Sequence, residues 1–282
     1  MPTAGSSRER AVSPGEARVE SAQGAVLSVR GLSKAFGKSR ILEGLDLDVR
    51  KGENVAILGE SGTGKSCLLR MIIGLMAPNA GQTFLWGQPT ENLSEEDWIP
   101  LRRRMGLVFQ SGALFDSMSV YDNIAFPLRE RGGSSQKEID CVVRERLEWI
   151  GLPGIEEQMP SQLSGGMRRR VALARTLAFD PEFVLYDEPT TGLDPRTAHK
   201  ISTLMRDLNS QLKSTSILVT HDIDCARIVS TRWAYLACGK MVADGTPEDL
   251  LGSGDPELRE FFAPSKRAQD LDALSQGEAG AP

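Results

Sequence analysis

The spacing of apolar positions changes period along this chain, and the changes mark out its elements. Alternating or continuous apolar runs at residues 26–29, 45–49 and 54–58 have strand character. The third run feeds a glycine-rich stretch at residues 59–64, and residues 65–73 then follow a helical pattern. Further strands are predicted over residues 82–86 and 105–109. From Ser111 onward the pattern turns helical and irregular, with breaks expected at Pro127, Gly132-Gly133, Pro153 and Pro160. The clearest helix there spans residues 138–150, where Ile139, Val142, Val143, Leu147 and Ile150 recur at helical spacing. A helix over about residues 166–178 stops at Asp180-Pro181. Residues 183–186 form an apolar run suited to a parallel strand covered on both faces. A helix near residues 196–211, a strand at 216–220 and a hairpin of 232–237 with 240–243 continue the alternation. The expectation is an α/β core that carries an inserted helical lobe over about residues 111–165.

Composition narrows the function classes. The 282 residues are 40% hydrophobic and 25% charged, an ordinary globular balance, and they allow one large domain or two small ones. A net charge of −5 argues against a basic nucleic-acid groove, so no nucleic-acid partner is expected. The most apolar stretch, residues 68–77, is interrupted by Arg70 and Gly74 and is too short for a membrane span. The N-terminus has no apolar core of a secretory signal. Cys67, Cys141, Cys225 and Cys238 are scattered without a CxxC pair, which suits a reducing cytosol better than a disulfide scaffold or a zinc site. Residues 1–24 read as a disordered leader, and residues 251–282 as a partly disordered C-terminal extension. Within that extension, residues 256–262 suggest a short helix. Its Leu258, Phe261 and Phe262 either clasp a neighbour or pack onto their own domain. Trp86, Trp98, Trp149 and Trp233 read as packing residues, and Arg168 to Arg170 as a run with mixed surface roles.

Chemistry concentrates in the loops. Gly59-Glu60-Ser61-Gly62-Thr63-Gly64-Lys65-Ser66 lies between a predicted strand and a helix, the context a phosphate-binding loop requires. Side chains at Gly59, Gly62 and Gly64 would block the approach of backbone N–H groups to phosphate oxygens or forbid the turn. The helix that follows points its positive end at the same phosphates. Lys65 adds charge toward the β- and γ-phosphates, and Ser66 offers a hydroxyl to Mg²⁺. Asp187 ends a buried strand, where ligands of parallel sheets bind, and is a carboxylate for Mg²⁺ contact. Glu188 beside it can orient and deprotonate an attacking water. Leu163-Ser164-Gly165-Gly166-Met167 has no local chemistry of its own and makes sense if presented to a phosphate bound by another copy of the chain.

Taken together, residues 25–250 resemble the ABC transporter ATPase family. Phe36 stands where an aromatic stacks on adenine, and residues 59–66 match the Walker A loop, with Cys67 where a threonine often follows. Gln110 matches the Q-loop glutamine, residues 163–167 the signature, 183–188 Walker B, 191–194 the D-loop, and His221 the switch histidine. Met167 departs from the usual signature glutamine. The resemblance implies a P-loop NTPase fold with a mostly parallel core sheet, an antiparallel β subdomain and an inserted helical subdomain. It implies ATP as substrate and Mg²⁺ held by Ser66, Gln110 and Asp187. Catalysis would fall to Glu188, His221, Lys65 and Gln110. It also implies a head-to-tail homodimer in which Ser164, Gly165 and Gly166 grip the phosphate held by the opposite chain, with Asp194 coupling the two sites.

Residues 111–130 are unusually apolar for a surface lobe and could line a groove for a partner's helix, or simply pack the lobe. With residues 186–195 and 242–247, this stretch looks like the ATPase subunit of Mla/MCE-type lipid transporters. That likeness implies integral membrane permease subunits, an MCE-domain lipid-binding protein and a small STAS-domain protein as partners. The chain would sit peripherally on the cytoplasmic face of the inner (plasma) membrane, with phospholipid as cargo. The alternative is an importer ATPase for polar solutes such as amino acids.

Overall fold

The computed structural model describes residues 24–110 and 112–263. The expected leader (Gly24 excepted), the tail beyond residue 263 and Ser111 lie outside the described residues.

Two sheets make up the core. In the antiparallel one, β1 (Ala25–Phe36) pairs with β2 (Ser39–Arg50) on one side and β4 (Ala80–Leu85) on the other, and β5 (Gln88–Pro89) extends β4. The second sheet contains β3 (Asn54–Leu58), β6 (Met105–Val108), β7 (Phe183–Asp187), β8 (Thr215–Thr220), β9 (Arg232–Ala237) and β10 (Lys240–Gly245), in the order β10-β9-β3-β8-β7-β6. Its strands run parallel except for β10, which returns antiparallel to β9. All residues of β7 and β8 are buried, as expected of central parallel strands covered on both faces.

The first hairpin is longer than the sequence suggests. Its register shifts between Val29 and Leu32 and again between Leu32 and Lys34, where Gly31 and Gly44 take φ of +58° and +63°. A bulge interrupts the period-two alternation by which strands are recognised.

Helices cover the sheets: α1 (Lys65–Ile72), α2 (Glu95–Arg102), α3 (Val120–Arg131), α4 (Gln136–Trp149), α5 (Gly165–Leu177), α6 (Pro195–Leu212), α7 (Ile223–Val229), α8 (Pro247–Leu251), and α9 over residues 256–263. Three apolar clusters result. One fills the space between the antiparallel sheet, α1 and the central strands, and the second lies on the opposite face of the parallel sheet under α6 and α7. The third holds α3 and α4 against α5.

Contrary to the break expected there from the sequence, Pro127 lies inside α3. A proline in a helix interior costs about 3 kcal/mol. Burial of Val120, Ile124 and Leu128 on the same helix returns about 1.5–3 kcal/mol apiece, which outweighs it. The C-terminal aromatics pack onto their own domain. Phe262 stacks on Trp233 with ring centres 5.7 Å apart and planes at 19°, and Leu258 is buried beside it.

Candidate functional site

Strand order assembles the site. β3, β8 and β7 are neighbours in parallel register, with Leu58 opposite Thr220 and Asp187 opposite Val219. The residues that follow these strand ends therefore emerge together at one edge of the sheet: the glycine loop, His221 and Glu188. They line a cavity of about 400 Å³ with Ile41, Ser61, Gly62, Gly64, Lys65, Ser66, Cys67, Gln110 and Thr191.

The glycine loop is tight at both ends. A Cβ on Gly59 would lie 2.3 Å from the Leu236 carbonyl oxygen, and one on Gly64 2.9 Å from Ile41 Cγ2 and Leu42 Cδ2. Gly64 also has φ of +101°. Thr63 Oγ1 donates to the Glu60 carbonyl at 2.9 Å and closes the turn. Lys65, the first residue of α1, is buried, and its Nζ donates to the carbonyls of Gly59 at 2.8 Å and Glu60 at 2.7 Å. Desolvation pulls its pKa below the ordinary lysine value, opposed by the nearby Glu188 carboxylate.

Ser66 Oγ donates to Asp187 Oδ1 at 2.7 Å. Burial holds the Asp187 carboxyl above the usual carboxylate range, partly offset by that hydrogen bond. Glu188, next in the chain, has φ of +46°, and its N–H donates to Val219 O at 3.0 Å. Extended backbone would point these adjacent carboxylates to opposite faces of the strand; the left-handed turn instead brings both to the start of α1, Asp187 at Ser66 and Glu188 at Lys65. Oε2 of Glu188 lies 2.9 Å from His221 Nδ1 and accepts from Thr191 Oγ1 at 3.1 Å and Thr220 Oγ1 at 3.4 Å. Its other oxygen lies 3.5 Å from Lys65 Nζ. A carboxylate held by this many donors is fixed in its orientation at the cavity.

Among the described residues no cluster of three or more His, Cys, Asp or Glu could hold a metal alone. The Ser66 hydroxyl beside the Asp187 carboxylate nevertheless fits Mg²⁺, which typically takes one or two protein oxygens and completes its shell with phosphate oxygens and water. Gln110 shares the cavity but makes no direct bond to this pair.

The signature residues stand apart from this cavity. Ser164 is the N-cap of α5 and accepts from Met167 N at 3.2 Å, and Asp194 is the N-cap of α6 and accepts from Thr197 N at 3.0 Å. Hydrogen bonding from the Thr197 side chain, and then from its N–H at the open N-terminal turn of α6, holds the Asp194 carboxyl below the usual range. Ser164, Gly165, Gly166, Gly192 and Asp194 line a separate cavity of about 660 Å³. No residue of the cavity around Lys65 lines it as well. Phe36 is 52% exposed under Lys34 Nζ, 5.2 Å from its ring centre, outside the lining of the Lys65 cavity.

Two residues of the site escaped the sequence reading. Ile41, on β2, lines the cavity and packs against Gly64. Arg169, expected at the surface, is buried. Its spacing from Ala172, Leu173 and Thr176 places it on the buried face of α5, and that periodicity was the available signal.

The sequence model of the family described as ABC transporter matches residues 42–191. This chain belongs to that family. The ABC ATPase is 44% identical over 240 residues to "Probable ribonucleotide transport ATP-binding protein mkl" of Mycobacterium leprae, covering 85% of this chain and 69% of that one. It is 42% identical over 237 residues to "Intermembrane phospholipid transport system ATP-binding protein MlaF" of Haemophilus influenzae, covering 84% and 90%. A dimeric post-hydrolysis state of the ATP-binding cassette MJ0796, bound to ADP and Pi, superimposes with a TM-score of 0.71 at 33% identity, covering 78% of this chain and 98% of that one. The fold is that of an ABC ATPase cassette, and the enzyme hydrolyses ATP.

Proposed function

We propose that this ABC ATPase powers phospholipid transport by a membrane transporter of Mla/MCE type. The match to MlaF, which spans 90% of that protein, carries the cargo assignment. The alternative, an importer ATPase for polar solutes such as amino acids, is not favoured by these relatives.

In the reaction, phosphates enter the glycine loop, and Lys65 Nζ turns from the Gly59 and Glu60 carbonyls toward them. Ser66 and Asp187 would hold Mg²⁺, which would supply neutralisation of the phosphate charge. Glu188, oriented by His221, Thr191 and Thr220, takes the proton of the attacking water. The separate cavity at Ser164 supports a shared site, in which two copies pair head to tail and each presents its signature turn to nucleotide on the other. ATP thereby favours the closed pair, and hydrolysis releases it.

No helix among the described residues is long and apolar enough to cross a membrane. Motion must therefore pass to permease subunits at the cytoplasmic membrane face. A groove of about 450 Å³ lined by Ile99, Phe126, Pro127 and Phe179, with Arg103 and Arg131 at its edge, fits an amphipathic helix of such a subunit. An MCE-domain protein and a small STAS-domain protein complete the proposed assembly.

The test is purification of the endogenous membrane complex, followed by identification of its subunits and bound lipid. Phospholipid in a complex with an MCE-domain protein supports the proposal. A periplasmic or lipoprotein receptor carrying a polar solute overturns it. Ile99→Glu should lower lipid transport and complex recovery while leaving ATP hydrolysis by the free chain intact.

A further inference from the structure

Arg169 is a buried cation for which no carboxylate partner is found among the described residues. Burying a guanidinium without a counter-charge is costly unless hydrogen bonds compensate, so its contacts are informative. Nη2 donates to the carbonyl of Thr191 at 3.1 Å, and Nη1 reaches the carbonyl of Phe109 at 3.4 Å. Both acceptors are functional neighbours. Phe109 precedes Gln110, which lines the Lys65 cavity. Thr191 lines the same cavity, and its hydroxyl donates to Glu188 Oε2 at 3.1 Å.

Arg169 sits one turn into α5, the helix capped by Ser164, whose first residues line the other cavity. A second contact runs parallel to it. A Cβ on Gly166 would lie 2.8 Å from Thr197 Cγ2, so the start of α5 presses on the start of α6, directly after Asp194. The two half-sites of one chain are thus joined through the interior.

We infer that Arg169 is a positioning residue, which ties the water-activating Glu188 of its own site to the signature turn that serves the opposite site. The connection runs from the α5 backbone through the Arg169 guanidinium to Thr191, and from the Thr191 hydroxyl to Glu188. When phosphate from the partner draws the α5 start toward it, the guanidinium carries Thr191 along, and the Glu188 carboxylate is brought to its working angle. Each site would then be armed by occupancy of the other. The inference rests on the shared-site reading proposed above.

The experiment uses full-length mixed dimers, tagged differently on the two chains. Glu188→Gln silences one site, so that turnover reports the other. In the first arrangement, one chain carries Arg169→Met and its partner carries Glu188→Gln, so the only working Glu188 belongs to the chain without its arginine. In the second, both changes are on the same chain, and the working Glu188 keeps its own arginine. The expected result is a fall in kcat of about tenfold to hundredfold in the first arrangement relative to the second, with KM for ATP changed little, because a displaced catalytic group loses rate rather than affinity. Equal rates, or a slower second arrangement, overturn the inference, since the arginine would then act only by shaping the signature turn or by holding the fold.

Two controls separate the causes. The same pair of dimers built with Ser164→Arg tests the shared site by itself, and there the second arrangement must be the slow one. If it is not, the shared-site reading fails independently of Arg169. Arg169→Lys keeps the charge but reaches only one of the two carbonyls, so it should recover part of the rate. A lysine variant as slow as the methionine variant, with a melting temperature equally lowered, would reduce Arg169 to a structural residue and overturn the proposal.

Discussion

Nδ1 of His221 stands 2.9 Å from Oε2 of Glu188, across the gap between the ends of β8 and β7. The imidazole is nearly half exposed, whereas the carboxylate is buried, so the histidine reaches into the cavity from its rim and anchors a group already inside.

Glu188→Gln removes the proposed proton acceptor but keeps its shape and most of its hydrogen bonds. ATP binding should persist, while hydrolysis falls by about 10²–10⁴, equivalent to roughly 3–5 kcal/mol of barrier. Nucleotide titration and phosphate release measure the two quantities separately. Closed pairs should accumulate in ATP and appear as a larger species by gel filtration. Near-normal turnover would remove Glu188 from this role.

Asp187 gives a pH-dependent signature. Its carboxyl is buried and titrates above its unfolded value, so the folded chain holds the proton more tightly than the unfolded chain does. Stability of the nucleotide-free protein therefore falls as pH rises from the unfolded value of 3.8 through the raised folded one, and the penalty is complete above it. Asp187→Asn lifts that penalty. The variant should melt higher than the parent at neutral pH, with the difference shrinking as pH falls through this window. Magnesium-dependent stabilisation by nucleotide should be lost. A variant that melts lower than the parent at neutral pH contradicts the assignment.

The glycines of the loop should not respond alike. Gly62 has open space around an added Cβ, and its φ of +85° is the only obstacle. Gly62→Ala should cost about 1–2 kcal/mol of loop conformation. Gly64→Ala carries a similar strain and must also displace Ile41 and Leu42, so it should weaken binding of a non-hydrolysable ATP analogue more strongly. Equal affinities for the two variants would show that packing against β2 does not shape the loop.

Phe262 closes the C-terminal end of the core. Phe262→Ala removes the stack on Trp233, a loss of about 3–5 kcal/mol if the surroundings cannot collapse. Because α9 is the last described helix and Phe262 anchors it, the cost should emerge as local detachment, seen as faster hydrogen exchange over residues 256–263, with the global melting temperature less affected. Unchanged exchange there would mean that the stack contributes little.

Much of this architecture was legible because the loops of the candidate site follow strands with strong apolar runs. The run at residues 183–187 is buried throughout, and the carboxylates at its end fall where a parallel sheet binds ligands. Elements whose burial is set from outside were harder to read. The helix α2 has few apolar residues and an internal Pro100. Its only clear mark is the capping box in which Ser94 and Asp97 bond reciprocally. The persistence of α3 through Pro127 depends on the third apolar cluster, which no local pattern reveals. Arg169 was misplaced for the opposite reason: as the middle of three arginines it looks solvated, although helical spacing turns it inward.

The separation of the Lys65 and Ser164 cavities has a consequence for inheritance. In the pairing proposed above, every molecule lends half of its equipment to a companion, so a faulty copy cannot fail in private. Cells that express sound and inactive versions together would make mostly impaired transporters, and a mutation in either cavity should act dominantly over the intact allele.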